Sequence, residues 1–166
     1  GMTIDRQCSS GLMTIAWAAK SIMCDEMDVA VAGELESISL VQTKHKNTYR
    51  NVSKTVTEID PTAYIPMIET AEIVSERYGI SREAQDEYAI RSYQLAARAW
   101  KKGLFKNEVI PITLPSKGNS TYTVSEDEDF SKVNYEKIPQ LRPVFLPEGT
   151  VTAANASNIS DGASAL

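Results

Sequence analysis

The alternation of apolar and polar positions changes character three times along this chain of 166 residues. Near the N terminus, Thr3-Ile4-Asp5-Arg6-Gln7 reads as a short strand. Met13, Ile15, Ala16, Trp17, Ala18, Ala19, Ile22 and Met23 follow with almost no polar face. That pattern predicts a buried helix over 9–24, ended by Asp25 and Glu26. The apolar run Asp28-Val29-Ala30-Val31-Ala32-Gly33 predicts a second buried strand closed by a glycine turn. Strand, helix and strand within about 30 residues make a βαβ unit, a parallel pair joined by a right-handed crossover.

Between residues 40 and 66 the pattern loses any period and turns basic, with Lys44, His45, Lys46, Arg50 and Lys54, so this stretch reads as a long solvated connection. Helical spacing returns at Met67, Ala71, Val74 and Tyr78, predicting a helix that Gly79 stops, with Met67 on its core side. Ser81 is a good N-cap for a second helix with a stripe through Ala84, Tyr88, Leu95 and Ala99, which ends at Gly103 after Lys101 and Lys102. Residues 108–114 read as a short edge strand interrupted by Pro111, and 115–135 as a polar loop whose acidic run, Glu126 to Asp129, is a solvated face.

Composition narrows the class. Hydrophobic residues make up 42% and charged residues 23%, the balance of a globular domain able to bury a core. A formal charge of -5 argues against nucleic acid or an anionic membrane as partner. No apolar run approaches the roughly 20 residues of a membrane span. Gly1 before Met2 reads as a cloning remnant or an arbitrary cut. Two cysteines, Cys8 and Cys24, are too few for a disulfide framework and suit a reducing compartment, the cytoplasm. His45, the single histidine, matches no metal-ligand spacing and reads as a surface residue; the acidic run lacks such spacing too, so no metal site is expected.

The candidate chemistry sits at Cys8. A cysteine at the start of an apolar helix faces unpaired backbone N–H groups and the positive end of the dipole, which favours the nucleophilic thiolate. Ser9, Ser10 and Gly11 are small enough for a substrate to approach, and the Cys8 N–H is a candidate donor to an oxyanion. Placement alone also fits a small buried hydrophobe.

Four ordered stretches carry a resemblance that covers essentially the whole chain. Arg6-Gln7-Cys8-Ser9-Ser10-Gly11-Leu12 resembles the nucleophile motif of the thiolases, which make or cleave 3-ketoacyl-CoA thioesters. Val31-Ala32-Gly33-Glu34-Leu35-Glu36-Ser37-Ile38-Ser39 is similar to the family's A-G-G-M-E-S-M-S turn. Met67-Ile68-Glu69-Thr70-Ala71-Glu72, with Tyr78-Gly79-Ile80-Ser81-Arg82-Glu83-Ala84-Gln85-Asp86, resembles its helical loop domain. The stretch Gly149 to Ala163 resembles the segment that returns to the core. Ketoacyl synthases also place a cysteine at a helix start, but these flanking residues fit thiolases better.

The resemblance implies an α/β thiolase-like fold, a fragment of the N-terminal βαβ core layer with a mainly helical loop-domain insertion. Residues 1–40 would belong to the N-terminal core, 41–148 to the loop domain and 149–166 to the return segment. Cys8 would carry the acyl group, Ser157 would lie beside the pantetheine arm of coenzyme A, and Met67 would border the acyl pocket. Coenzyme A and acyl-CoA would be substrates, with no permanently bound cofactor. The parent protein would be a homodimer or homotetramer, mitochondrial or peroxisomal if eukaryotic. The family's activating His, its Asn-Glu-Ala motif and its second Cys come later than the matched stretches, so the chain is expected to be inactive by itself and poorly soluble without a partner. An alternative of another class is a non-catalytic acyl-CoA-binding or interaction module. Departures from the family pattern include Asp5 for a frequent Asn, Glu34 for the second Gly, Pro66 and Ile68 around Met67, and Ser131 near a position where an Arg often contacts the coenzyme.

Overall fold

A computed structural model describes residues 1–166. In chain order the elements are a 3-10 turn at Gln7–Ser9, then α1 (Ser10–Met23), β1 (Gly33–Glu36), α2 (Ile38–Val41), α3 (Lys54–Ile59), α4 (Met67–Tyr78), α5 (Arg82–Lys101), β2 (Ile112–Pro115), β3 (Thr121–Val124), α6 (Asp129–Lys132) and β4 (Gly162–Ala165). Two further 3-10 turns lie at Lys117–Asn119 and Tyr135–Gln140. The chain divides into two compact units, one of residues 1–51 with 158–166, the other of residues 52–157.

In the first unit α1 forms where its apolar run predicts it, but none of its residues is buried, and Leu12 and Met23 are 73% and 81% exposed. The expected strand at 3–7 is absent. Its backbone groups are taken up locally instead: the Gln7 N–H donates to Asp5 Oδ1 at 2.9 Å and the Arg6 N–H to Ser10 Oγ at 2.9 Å. Such side-chain bonds compete with a ladder. The second expected strand, 28–33, is displaced to β1. There the partner is β4, antiparallel, pairing Gly33 with Ala165 and Glu36 with Gly162. Ala32 and Leu166 extend the ladder by exchanging two backbone bonds, of 3.0 and 2.8 Å. Residues 162–166 supply the free backbone edge, so they rather than the apolar run at 28–33 decide where the strand lies.

In the second unit the two long helices form where their caps predict. Gly79 ends α4 in the left-handed conformation, φ 62° and ψ 37°, and Ser81 caps α5 by accepting the Ala84 N–H at 3.2 Å. Their inward faces are not the apolar stripes. Met67 and Tyr78 are 75% and 70% exposed, Tyr88 is 74% exposed, and the buried helix positions are Glu72, Ser75, Asp86 and Ala89. With Met67 open to solvent, its core placement is overturned. The core here is Ala89, Ile138 and Val151, joined by the wholly buried Thr152, and polar groups occupy the inward face because their hydrogen bonds are met.

The basic connection contains a helix after all: α3, capped by the Ser53 hydroxyl, which accepts the Val56 N–H at 3.4 Å. Its Thr and Val residues have modest helix propensity, which hides it from a periodicity argument. The edge strand begins after Pro111, at Ile112, and its partner β3 arises within the expected polar loop. Ile112 opposes Val124 and Leu114 opposes Tyr122, a two-stranded hairpin turned at Gly118, φ 72°. Beyond it, Trp100 packs with Phe105 and Phe130 at ring centroids of 5.3 and 6.2 Å, fastening α6 to the end of α5.

The α5 cap gives a direct check. Ser81→Ala is expected to lower stability by about 1 kcal/mol, and Ser81→Asp to retain it. Urea unfolding followed by circular dichroism reads the difference, and an unchanged midpoint for the Ala variant would mean that the hydroxyl does not support α5.

Candidate functional site

Cys8 occupies the 3-10 turn that runs into α1, one residue before the N-cap Ser9, and its side chain is exposed. Interlocking bonds hold this turn. The Ser9 N–H donates to the Arg6 carbonyl at 3.1 Å, and Ser10 Oγ donates to the Gln7 carbonyl at 2.7 Å while accepting the Arg6 N–H. Gln7 adopts φ 49°, a left-handed conformation that costs a non-glycine residue about 1–2 kcal/mol. Its neighbours therefore over-determine the backbone that aims Cys8.

The first turn of α1 holds no acidic residue. Across from it, the Glu34 side chain lies so close to Gly11 that a Cβ on residue 11 would collide with the carboxylate. Glu34, which departs from the glycine of the resembling turn, thus fills space that Gly11 leaves open. Its negative charge faces a helix N terminus, a favourable placement. Chemically, the turn offers an exposed thiol beside backbone amides, the parts needed for attack on a carbonyl.

The second unit holds Met67, the first residue of α4, and Ser157, which ends the segment Gly149 to Ser157; both are exposed. Cys8 belongs to the first unit and these two residues to the second. Neither expectation about the binding residues anticipated the groups that hold the segment. The Glu72 carboxylate accepts the Thr150 N–H at 2.9 Å, the Thr150 hydroxyl at 2.8 Å and the Val151 N–H at 2.8 Å. Gly149 passes so close to Glu72 that a Cβ there would strike the carboxylate. Gln85 Nε2 donates to Thr150 Oγ1 at 2.9 Å and to Ser75 Oγ at 3.0 Å.

Two residues further on, Thr152 and Asn155 bind reciprocally. The Thr152 N–H donates to Asn155 Oδ1 at 2.7 Å, and Thr152 Oγ1 accepts the Asn155 N–H at 3.4 Å, in the manner of a helix capping box. Asn155 Nδ2 donates to Asp86 Oδ1 and to the Thr150 carbonyl, each at 3.0 Å. Arg82 Nε pairs with Asp86 Oδ2 at 2.8 Å, and its Nη2 donates to the carbonyls of Ile138 and Leu141 at 2.9 and 3.1 Å. The Tyr93 hydroxyl donates to the Ala154 carbonyl at 3.2 Å. The Thr-x-x-Asn spacing at 152–155 was a legible signal for the turn, whereas Glu72 and Asp86 look like ordinary helix-surface acids.

Burial opposes the ionisation of Glu72, but the N–H groups of Val151 and Thr150 and the Thr150 hydroxyl outweigh it and hold the carboxyl below its ordinary value. In the first unit, the Ser39 hydroxyl, at 2.5 Å, and the Ser39 N–H, at 2.9 Å, lower Asp161 in the same way. Asp161 thereby links the start of α2 to the approach of β4. No group of three or more His, Cys, Asp or Glu side chains is placed to hold a metal ion, and no helix is long and apolar enough to cross a membrane.

Comparison with known proteins places this geometry. The family described as thiolase, N-terminal domain, matches residues 1–166. Mitochondrial acetyl-CoA acetyltransferase of Danio rerio is 41% identical over 99% of the chain, and the chain spans about two fifths of that relative's length, 41%. The crystal structure of the dimeric peroxisomal thiolase of Saccharomyces cerevisiae superposes on 98% of the chain, which covers 41% of it, with TM-score 0.76 and 36% identity. A thiolase of Ascaris suum in complex with coenzyme A superposes on 99% of the chain, which covers 44% of it, with TM-score 0.73 and 36% identity.

The Glu72 cluster sets an expected pH response. Because the carboxyl is held below its ordinary value of 4.5, its contribution to stability is complete above that pH and is lost as pH falls through the lowered value. Glu72→Gln is expected to lose about 2 kcal/mol at pH 7 and to flatten the acid limb of stability against pH. Urea midpoints between pH 3 and 7 test both. A variant whose acid limb parallels that of the parent would remove Glu72 from the account.

Proposed function

The chain belongs to the thiolase family, with the α/β fold of that family, and from that premise we propose that the protein is a thiolase-type acyltransferase whose acyl carrier is Cys8. The observation that carries this reading is the turn at Cys8: an exposed thiol on a strained backbone at the start of α1, within the Gln7-Cys8-Ser9-Ser10-Gly11 motif. The Cys8 thiolate attacks the carbonyl carbon of an acyl-CoA, and the carbonyl electron pair moves onto oxygen, where the Cys8 N–H is the proposed donor. Collapse restores the carbonyl and expels the thiolate of coenzyme A, leaving the acyl group on Cys8 Sγ as a thioester. In the synthetic direction a second acyl-CoA loses its Cα proton to a base, its Cα takes the acyl group to form a 3-ketoacyl-CoA, and the Cys8 thiolate is released. In the reverse direction Cys8 Sγ attacks the 3-keto carbonyl, and the Cα–Cβ bond breaks to an acetyl-CoA enolate that is protonated. The thiolate of coenzyme A then takes the acyl group from Cys8.

Ser157 is assigned to the pantetheine arm and Met67 to the acyl pocket. Both side chains are exposed, and a coenzyme A complex among the structural neighbours supports that ligand class. Coenzyme A is substrate rather than resident cofactor. Residues 1–40 and 149–166 are proposed as core and 41–148 as loop domain. Groups that activate the thiol and protonate the leaving group are assigned to parts of the protein outside these 166 residues, which predicts silence from this stretch alone. Self-association as a dimer or tetramer is proposed, with a dimeric relative in support, as is a role in fatty-acid metabolism. The proposed compartment is the cytoplasm, or the mitochondrion or peroxisome of a eukaryote, in line with the relatives.

Incubation of the intact protein with acetyl-CoA, followed by mass measurement and peptide mapping, tests the reading. The expected result is one acetyl group on the peptide that contains Cys8, absent from Cys8→Ser and removed by added coenzyme A. An acetyl group on Cys24, or an intact protein that stays unmodified, would overturn it.

A further inference from the structure

The segment that ends at Ser157 is held by directional polar bonds from two helices, and one of its anchors reaches within two residues of the proposed coenzyme contact. Asp86 is 5% exposed, yet its charge is met on both oxygens, by Arg82 Nε at 2.8 Å and by Asn155 Nδ2 at 3.0 Å. A buried ion pair is a weak source of stability compared with apolar packing of the same volume. What it supplies is direction. The Asn155 amide is committed at both ends: Oδ1 accepts the Thr152 N–H, and Nδ2 bridges Asp86 to the Thr150 carbonyl. Tyr93 holds the Ala154 carbonyl from about two turns further along α5, and the Ala156 N–H donates to the Thr152 carbonyl at 2.9 Å. With Thr152, Ala154, Asn155 and Ala156 fixed, the backbone leaves this turn in one direction, and the exposed Ser157 is the first residue beyond it.

We propose that Asp86, acting through Asn155, positions Ser157 for the pantetheine arm of coenzyme A and thereby sets affinity for the coenzyme rather than the rate of acyl transfer. This inference rests on the assignment of Ser157 to the coenzyme. Asp86 and Asn155 are positioning residues: neither touches the ligand, and each acts by fixing the turn. Arg82 stands behind them. By binding Asp86 and the carbonyls of Ile138 and Leu141, it prevents the carboxylate from turning away from Asn155.

The experiment measures kcat and KM for coenzyme A, with acetoacetyl-CoA as second substrate, in the intact protein. Ser157→Ala is the reference. Asn155→Ala is expected to raise KM about tenfold, the scale of one hydrogen bond to a charged or committed partner, with kcat within about twofold. In the Ser157→Ala background the same change adds nothing. Asp86→Ala, which removes one acceptor of Asn155 Nδ2 and leaves the bonds of Asn155 to Thr152 and Thr150 in place, is expected to raise KM in the same direction with kcat again within about twofold. This variant also serves if Asn155→Ala fails to fold. If Ser157→Ala leaves KM unchanged, the coenzyme assignment itself fails and this inference with it. If Ser157→Ala raises KM while Asn155→Ala does not, or if kcat falls in proportion, the assignment stands and the positioning role is overturned.

Discussion

The second unit depends on one carboxylate. Glu72, on the inward face of α4, collects two backbone N–H groups and a hydroxyl from a segment nearly eighty positions later in the chain. Neutral acceptors would bind such donors more weakly, since a charged acceptor roughly doubles the strength of the bond. Desolvation works against the charge, and three donors overcome it. A consequence follows for Gly149, whose missing Cβ is what allows the backbone to pass over the carboxylate. The apolar stripe of α4, by contrast, remains open to solvent, so the helix is oriented by its hydrogen bonds.

The same economy appears on α5. Arg82, Asp86 and Tyr93 lie along one side of the helix and bind the backbone or amide of a short 3-10 turn and of the irregular segments around it. Irregular segments cannot satisfy their backbone groups by a ladder or helix, and so they need side chains to do it. Two helices therefore act as a rack of donors and acceptors for the stretch 138–157. The apolar contribution is limited to a few residues, Ile138, Val151 and Ala89 among them.

The first unit solves its backbone problem differently. Residues 5–10 close on themselves through Asp5, Ser10 and the Ser9 N–H, and that closure forces Gln7 into a left-handed conformation just before Cys8. Strand β1 takes its partner from the far end of the chain. Asp161 then ties Ser37 and Ser39 to the residues that precede β4. Here long-range pairing between 33–36 and 162–165 decides which residues are strand, because a strand exists only where a second backbone offers its bonds.

What could be read from the amino-acid order was therefore what depends on neighbours in the chain. Gly79 and Ser81 marked a helix end and a helix start because a left-handed cap and an N-cap act within a few residues. The apolar run after Cys8 was legible as α1 for the same reason, and the motif at Cys8 carried the family. Tertiary structure alone decided the strands, whose pairing is set by distant backbone, so the expected strands at 3–7 and 28–33 gave way to β1 with β4. It also decided the inward faces of α4 and α5. An acid on a helix looks solvated until a distant segment brings donors to it, and Glu72 and Asp86 become buried only because Thr150, Val151 and Asn155 arrive.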